Sequence, residues 1–293
     1  MTTIKTGVLS AFFILTSCNQ KITMQNHNLK PAETAFRSGF SDINGLHMYY
    51  EIYGEGKPLV LIHGGGSTIE SNFGKAIPLF AKNRQVIAVE LQAHGRTSDR
   101  NAPLSFEQDA DDVATLLRNL GISKADFFGF SNGGTTTLQI AIRHPEIVNR
   151  IVLGSALAKR NGVPDFFWGF MQQARLSNMP QQLQKAYLAV NPDSAGLRVM
   201  HDKDAARMLA FTDIPEEKLR AISCPALIII SDKDVITPEH ALEMHRLISG
   251  SELAIIPGGH GEYIGEITTV TEDFNERTLI VPLIEKFLDK KPE

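Results

Sequence analysis

The sequence predicts an α/β fold: a mostly parallel sheet flanked by helices and interrupted late in the chain by a helical insertion. Three observations carry this reading. Short apolar runs of strand type at 46–52, 59–62, 85–91, 127–130, 148–153, 226–230 and 253–256 alternate with helix-type segments. Most are apolar at consecutive residues, as strands covered on both faces are. The segment 126–143 reads as a strand that turns sharply into a helix at Ser131, with glycines on both sides of the turn. Between Ser155 and Ile222 the strand-type runs stop, and apolar residues fall on helical spacing instead.

At the start of the chain, residues 1–17 carry one positive residue, Lys5. An apolar run at 8–15 follows, too short for a bilayer span and long enough for an export signal. The run leads into Leu15-Thr16-Ser17-Cys18, which resembles the lipobox of bacterial lipoproteins. The resemblance implies that 1–17 is a removable signal peptide and that Cys18 becomes the acylated first residue. The protein would then be anchored to a membrane of the bacterial cell envelope, facing the periplasm or the exterior. Cys224, the other of the two cysteines, would have no disulfide partner and is expected to be a small core residue. Removal of 1–17 takes away the charge of Lys5 alone, moving the formal net charge from −4 to −5. No basic patch argues for nucleic acid.

Residues 18–35 are polar, unpatterned and interrupted by Pro31, so they read as a flexible tether, with the folded part beginning near Phe36. The stretches 39–41 and 46–52, joined at Asn44-Gly45, predict an antiparallel hairpin at the sheet edge. A helix is expected over 70–82. Ser105 with Gln108 reads as a capping box opening a second helix, whose Val113, Leu116, Leu117 and Leu120 share one face and which ends at Gly121. Asp109, Asp111 and Asp112 in that helix are accounted for by its dipole rather than by a metal. His240 and His245, five residues apart, do not share a helix face. No metal or cofactor site is predicted. In the insertion, Phe166, Phe167, Phe170 and Met171 are followed by Leu183, Tyr187, Leu197, Met200, Met208 and Phe211, most of them expected to pack the insertion onto the core. A last helix is expected from about 271 to 288, with Pro282 either kinking it or marking a boundary.

Four pieces of the chain carry chemistry. GFSNG at 129–133 fits G-x-S-x-G, the strand-to-helix turn that exposes a serine hydroxyl, and HGGG at 63–66 follows a buried-type strand. The strand at 226–230 ends in Ser231-Asp232-Lys233-Asp234, and the strand at 253–256 is followed by His260 between glycines. These motifs, in the order serine, acid, histidine, resemble the α/β-hydrolase family from about Phe36 to the C-terminus.

The resemblance implies an eight-stranded, mostly parallel sheet with a helical cap inserted after the sixth strand. The core would be 36–154 and 223–293, and the cap 155–222. It also implies a triad in which His260 takes the proton of Ser131 and an aspartate orients His260. The family pattern G-x-x-D-x-x-x-P matches Ser231 to Pro238 with serine in place of glycine, which selects Asp234, with Asp232 as the alternative. Backbone N–H groups of Asn132 and Gly65 would hold the charge on the substrate oxygen, the choice between Gly64 and Gly65 being open. ELQAHGRTS at 90–98 resembles the D-x-x-G-H-G-x-S loop, departing at Glu90 and Ala93, and this implies a mainly structural His94.

Serine at the elbow argues against opening epoxides or displacing halide. The expected function is cleavage of a small-molecule carboxylic ester. Lactones, thioesters, amides and activated carbon–carbon bonds would use the same parts. A non-catalytic binding protein with this fold is the alternative of a different class, and the presence of all four chemical parts argues against it. A metallohydrolase lacks a ligand set.

Overall fold

The apolar runs assemble into one eight-stranded sheet: β1 (Phe36–Ile43), β2 (Leu46–Tyr53), β3 (Lys57–Ile62), β4 (Arg84–Val89), β5 (Ala125–Phe130), β6 (Val148–Gly154), β7 (Ala226–Ser231) and β8 (Glu252–Ile256). The computed structural model describes residues 36–271, 275 and 279–291, so the expected signal peptide, tether and Cys18 lie outside the described residues. The strand order is β1-β2-β4-β3-β5-β6-β7-β8. The β1–β2 hairpin, closed by Asn44 and Gly45 at positive φ, is antiparallel, as is β2 to β4, and every other pairing is parallel.

Alternate residues of each central strand enter two separate cores, one on each face. Val60, Ile62, Phe127, Ile151 and Ile228 pack with helices α3 (Phe106–Asn119), α4 (Asn132–Arg143) and α9 (Pro238–Leu247). Leu59, Leu61, Phe128, Val152 and Leu227 pack with α1 (Ile69–Phe73), α2 (Ile77–Phe80) and α10 (Val281–Leu288). This two-sided burial explains the continuous apolar runs, and each fully buried aliphatic or aromatic side chain contributes about 1.5–3 kcal/mol relative to exposure.

Between β6 and β7 the chain forms α5 (Asp165–Gln172), α6 (Gln181–Val190), α7 (Ser194–Leu209) and α8 (Glu216–Arg220), with no strand. Tyr187, Leu197 and Met200 are buried together with Ala93 of the core, and Phe211 joins the α3 side of the main core. Cys224 is half-buried against that core, and burial pushes its thiol up to about 11.

Several local expectations are corrected. The helix expected over 70–82 is two short ones: α1 ends at Gly74, and Pro78 falls in the first turn of α2. The last helix begins only at Val281, so Pro282 occupies its first turn, where the missing N–H costs nothing, and marks a start rather than a kink. Ser105 caps α3 by accepting from the Gln108 N–H, but the Gln108 amide turns to Asp112 instead of closing the box. The acids of α3 do more than oppose its dipole: Asp109 pairs with Arg207, Asp111 with Arg143 and His144, and Asp112 with Arg100. His240 is buried and accepts the Ala158 N–H, while His245 meets Ser251.

Candidate active site

Ser131 stands between the end of β5 and the start of α4 at φ 54°, ψ −121°, a conformation that a non-glycine residue adopts only under constraint. The constraint comes from its neighbours. A Cβ at Gly129 would run into the Gly133 carbonyl and Thr137 Oγ1, and one at Gly133 into the carbonyls of Ile62 and His63. The two glycines therefore let α4 cross close over β3 and β5, and the tight turn that results lifts the Ser131 hydroxyl off the sheet.

His260 lies beyond β8, in a loop with Gly258 and Gly261 at positive φ, and its ring packs against Phe130 at a centroid distance of 4.7 Å. Its Nε2 is 3.1 Å from Ser131 Oγ, and its Nδ1 is 2.6 Å from Asp234 Oδ1. Asp234 leaves the end of β7 and has a fully buried side chain. Asp232 is not in this chain of contacts: its Oδ1 accepts the Gly258 N–H at 2.9 Å and so ties down the histidine loop.

A second layer, not anticipated from sequence, surrounds Asp234. Ser155 Oγ donates to Asp234 Oδ2 at 2.6 Å, Tyr263 OH lies 2.9 Å from Ser155 Oγ, and the Ile236 N–H donates to Oδ1 at 3.0 Å. Burial opposes ionisation of Asp234, but the bonds from His260, Ser155 and Ile236 together outweigh it and hold the carboxyl below its usual range. Burial also raises Tyr263 well above the usual phenol range, so its O–H persists as a donor to Ser155. Ser155 sits at φ 49°, directly after β6. The only sequence signal for it was a serine at a strand end.

In the HGGG loop the three glycine N–H groups have different fates. That of Gly64 is donated to Asn72 Oδ1 at 2.5 Å, and that of Gly66 to Asp204 Oδ2 at 2.6 Å. The Gly65 N–H has no protein acceptor among the described residues, and neither does that of Asn132, the first of α4. His63 fixes the loop from beneath: Nδ1 donates to the Gly64 carbonyl at 2.8 Å, and Nε2 accepts the Leu91 N–H at 3.1 Å. Burial, and next the neighbouring charge of His94, bring His63 down to about 3, so the ring is neutral. His94 is fully buried and bonded to the Gln92 carbonyl and to Asp204. It does not line the cavity that Ser131 opens into.

That cavity has a volume of about 320 Å³ and lies between the C-terminal ends of the central strands and the insertion. Gly65, Ser131, Asn132 and His260 form its polar floor. Phe167, Phe170, Met171, Leu183 and Met208 of the insertion line it, whereas Tyr187, Leu197 and Met200 only pack. The arrangement has a hydroxyl nucleophile, a base within reach of it, an ionised acid orienting the base, and two N–H donors on the same cavity with no acceptor among the described residues. Such a set suits acyl transfer.

Hydrolases are among the relatives of this chain. Residues 57–204 match the model of the α/β-hydrolase fold family. A human serine hydrolase, BPHL, is 28% identical over 82% of this chain and 87% of its own. A 2-hydroxy-6-oxo-6-(2'-aminophenyl)hexa-2,4-dienoic acid hydrolase of Metapseudomonas resinovorans is 26% identical over 85% and 91%. Among solved structures, a thermophilic esterase from Thermogutta terrifontis superposes with a TM-score of 0.65 at 23% identity, covering 87% of this chain and 98% of that one, which shows a common fold. By its family match, its sheet and its relatives, this chain belongs to the α/β-hydrolase fold family and is a hydrolase.

Proposed function

We propose that this hydrolase is an exported, lipid-anchored serine enzyme that cleaves a small carboxylic ester through an acyl-enzyme. Ser131 Oγ attacks the ester carbonyl carbon while its proton passes to His260 Nε2. The carbonyl electron pair moves to oxygen, where the N–H groups of Gly65 and Asn132 receive the charge. As the tetrahedral adduct collapses, the C–O bond to the alcohol breaks and His260 returns the proton to the leaving oxygen. Water then repeats the sequence on the acyl-enzyme and frees Ser131. Asp234 keeps a proton on Nδ1 and stabilises the imidazolium. A donor at the helix start is well suited to an oxyanion, and one such donor is worth on the order of 3 kcal/mol in comparable sites.

The observation that carries this reading is the unbroken chain Asp234–His260–Ser131 beside a cavity shared with the Gly65 and Asn132 N–H groups, which have no protein acceptor among the described residues. The dienoic acid hydrolase among the relatives favours a second reading, an unsaturated oxo acid as substrate. A carboxylate-bearing substrate would meet a cavity in which the described lining residues include no lysine or arginine. An uncharged ester suits that lining better. Export rests on the apolar run at 8–15 and on the lipobox-like residues 15–18.

Labelling with a fluorophosphonate tests the mechanism: the adduct should map to Ser131, and a folded protein labelled elsewhere or not at all would refute it. A series of p-nitrophenyl esters of increasing acyl length then sizes the cavity.

A further inference from the structure

One carboxylate in the cavity wall has no place in the triad. Asp204 lies on α7 of the insertion, yet its Oδ2 accepts the Gly66 N–H at 2.6 Å and faces His94 Nε2 at 2.9 Å. Arg207, one turn further along α7, bonds Asp204 Oδ1. The same guanidinium donates to Asp109 Oδ2 of α3 at 2.7 Å and lies 4.7 Å from the centroid of the Phe106 ring. The carboxylate is thus gripped from the core by His94 and from its own helix by Arg207, itself anchored to α3.

The Nδ1 of His94 faces the Gln92 carbonyl at 2.9 Å and its Nε2 faces the carboxylate, two acceptors that suit a ring protonated at both nitrogens. The Gly66 N–H is also 3.3 Å from Nε2, but the charged oxygen at 2.6 Å is the stronger acceptor. Burial works against the proton on His94, but the charge and hydrogen bond of Asp204 outweigh it and raise the group. Burial likewise disfavours the Asp204 carboxylate, yet Arg207, His94 and the Gly66 N–H hold it far below its usual range.

We propose that Asp204 is a positioning residue of the oxyanion loop: by holding the Gly66 N–H it fixes the peptide next to Gly65, so that the Gly65 N–H stays aimed at the substrate oxygen. This rests on the reading of Gly65 as an oxyanion donor. Gly64-Gly65-Gly66 has no side chain to restrict its backbone, and a donor helps the transition state only if it does not have to be organised during reaction. Asn72 and His63 clamp the loop on the Gly64 side. Asp204 is the clamp on the other side, and because it belongs to the insertion, the donor is set only with α7 seated on the core. A Cβ built on Gly65 would lie 3.2 Å from Asp204 Oδ2, so clamp and donor are immediate neighbours.

The test is Asp204→Asn in the full chain, read with a p-nitrophenyl ester and with two inhibitors of one chain length: hexyl trifluoromethyl ketone, which forms a tetrahedral adduct with the serine, and hexyl methyl ketone, which does not. The expected result is a fall in kcat of about 10- to 100-fold, less than the loss of a whole donor, with KM within about threefold. Affinity for the trifluoromethyl ketone should fall in parallel with kcat and that for the methyl ketone should hold. An unchanged kcat, or equal loss of both ketones, overturns the proposal, because a loosened cavity would weaken them alike. Should Asp204→Asn not fold, His94→Gln keeps the carboxylate while removing the charge that grips it. The ratio of the two ketone affinities must then shift in the same direction, and an unchanged ratio overturns the proposal. Ser131→Ala retaining wild-type turnover would instead sink the serine mechanism itself, whatever Asp204 does.

Discussion

Ser155→Ala should weaken the protein and its catalysis through one oxygen, Asp234 Oδ2. That oxygen's partner is the Ser155 hydroxyl at 2.6 Å, and the Asp234 side chain is fully buried, so water cannot replace the lost donor. A hydrogen bond to a charged group is worth about 1.5–3 kcal/mol, and that is the loss expected at pH 7 from urea unfolding. The sign of the pH dependence follows from the direction of the Asp234 shift. Its folded-state pKa is depressed, so its contribution to stability is present above the unfolded carboxylate value of about 3.9 and is lost as pH falls through the folded value. The variant has a smaller contribution to lose. The gap between wild type and variant should therefore narrow as pH falls through the range where the variant's Asp234 takes up its proton. Tyr263→Phe is the control, because it removes only the outer, neutral bond at 2.9 Å; about 0.5–1.5 kcal/mol is expected there, with little pH dependence. A Ser155→Ala penalty below about 0.5 kcal/mol, or one independent of pH, would refute the assignment of that hydroxyl to the ionised acid.

Further outcomes follow from the other contacts. Ser131→Ala and His260→Ala should each lower turnover by about three orders of magnitude or more, and the double variant should be about as poor as either alone; losses that add in full would show that His260 does not serve Ser131. Palmitate label should enter the full-length wild type in its bacterial host and be absent from Cys18→Ser; an unlabelled wild type in the soluble fraction would make the lipobox resemblance accidental.

Elements with local causes were legible in the sequence. The elbow could be read because its glycines are imposed by contact with the next helix and strand, and the central strands because burial on both faces leaves unbroken apolar runs. Errors fell where a local rule had a competitor. The expected helix at 70–82 yielded to Gly74 and Pro78, and the acids of α3 found arginines from three other segments that no helical spacing could announce. Helix α7 carries a further signal. Asp204 and Arg207 fall at helical spacing from Leu197, Met200 and Met208 on the buried side of α7, and charged residues on such a stripe call for partners across the interface.

The choice between Gly64 and Gly65 shows why the rest of the site was closed to sequence reading. Three consecutive glycines are chemically identical, and nothing in HGGG distinguishes their N–H groups. They are told apart only by who accepts from them, and those acceptors lie 8 residues away at Asn72 and 138 residues away at Asp204. The nearer one sits inside what the periodicity presents as an ordinary helix; the farther one belongs to an insertion brought over the loop by a different part of the topology. Asp234 depends in the same way on Ser155, 79 residues upstream, and through it on Tyr263. The groups proposed to react announce themselves by local motifs because their own backbone geometry demands particular neighbours. The groups that hold them need only a donor or acceptor at one point in space, and any stretch of chain that passes that point can supply it.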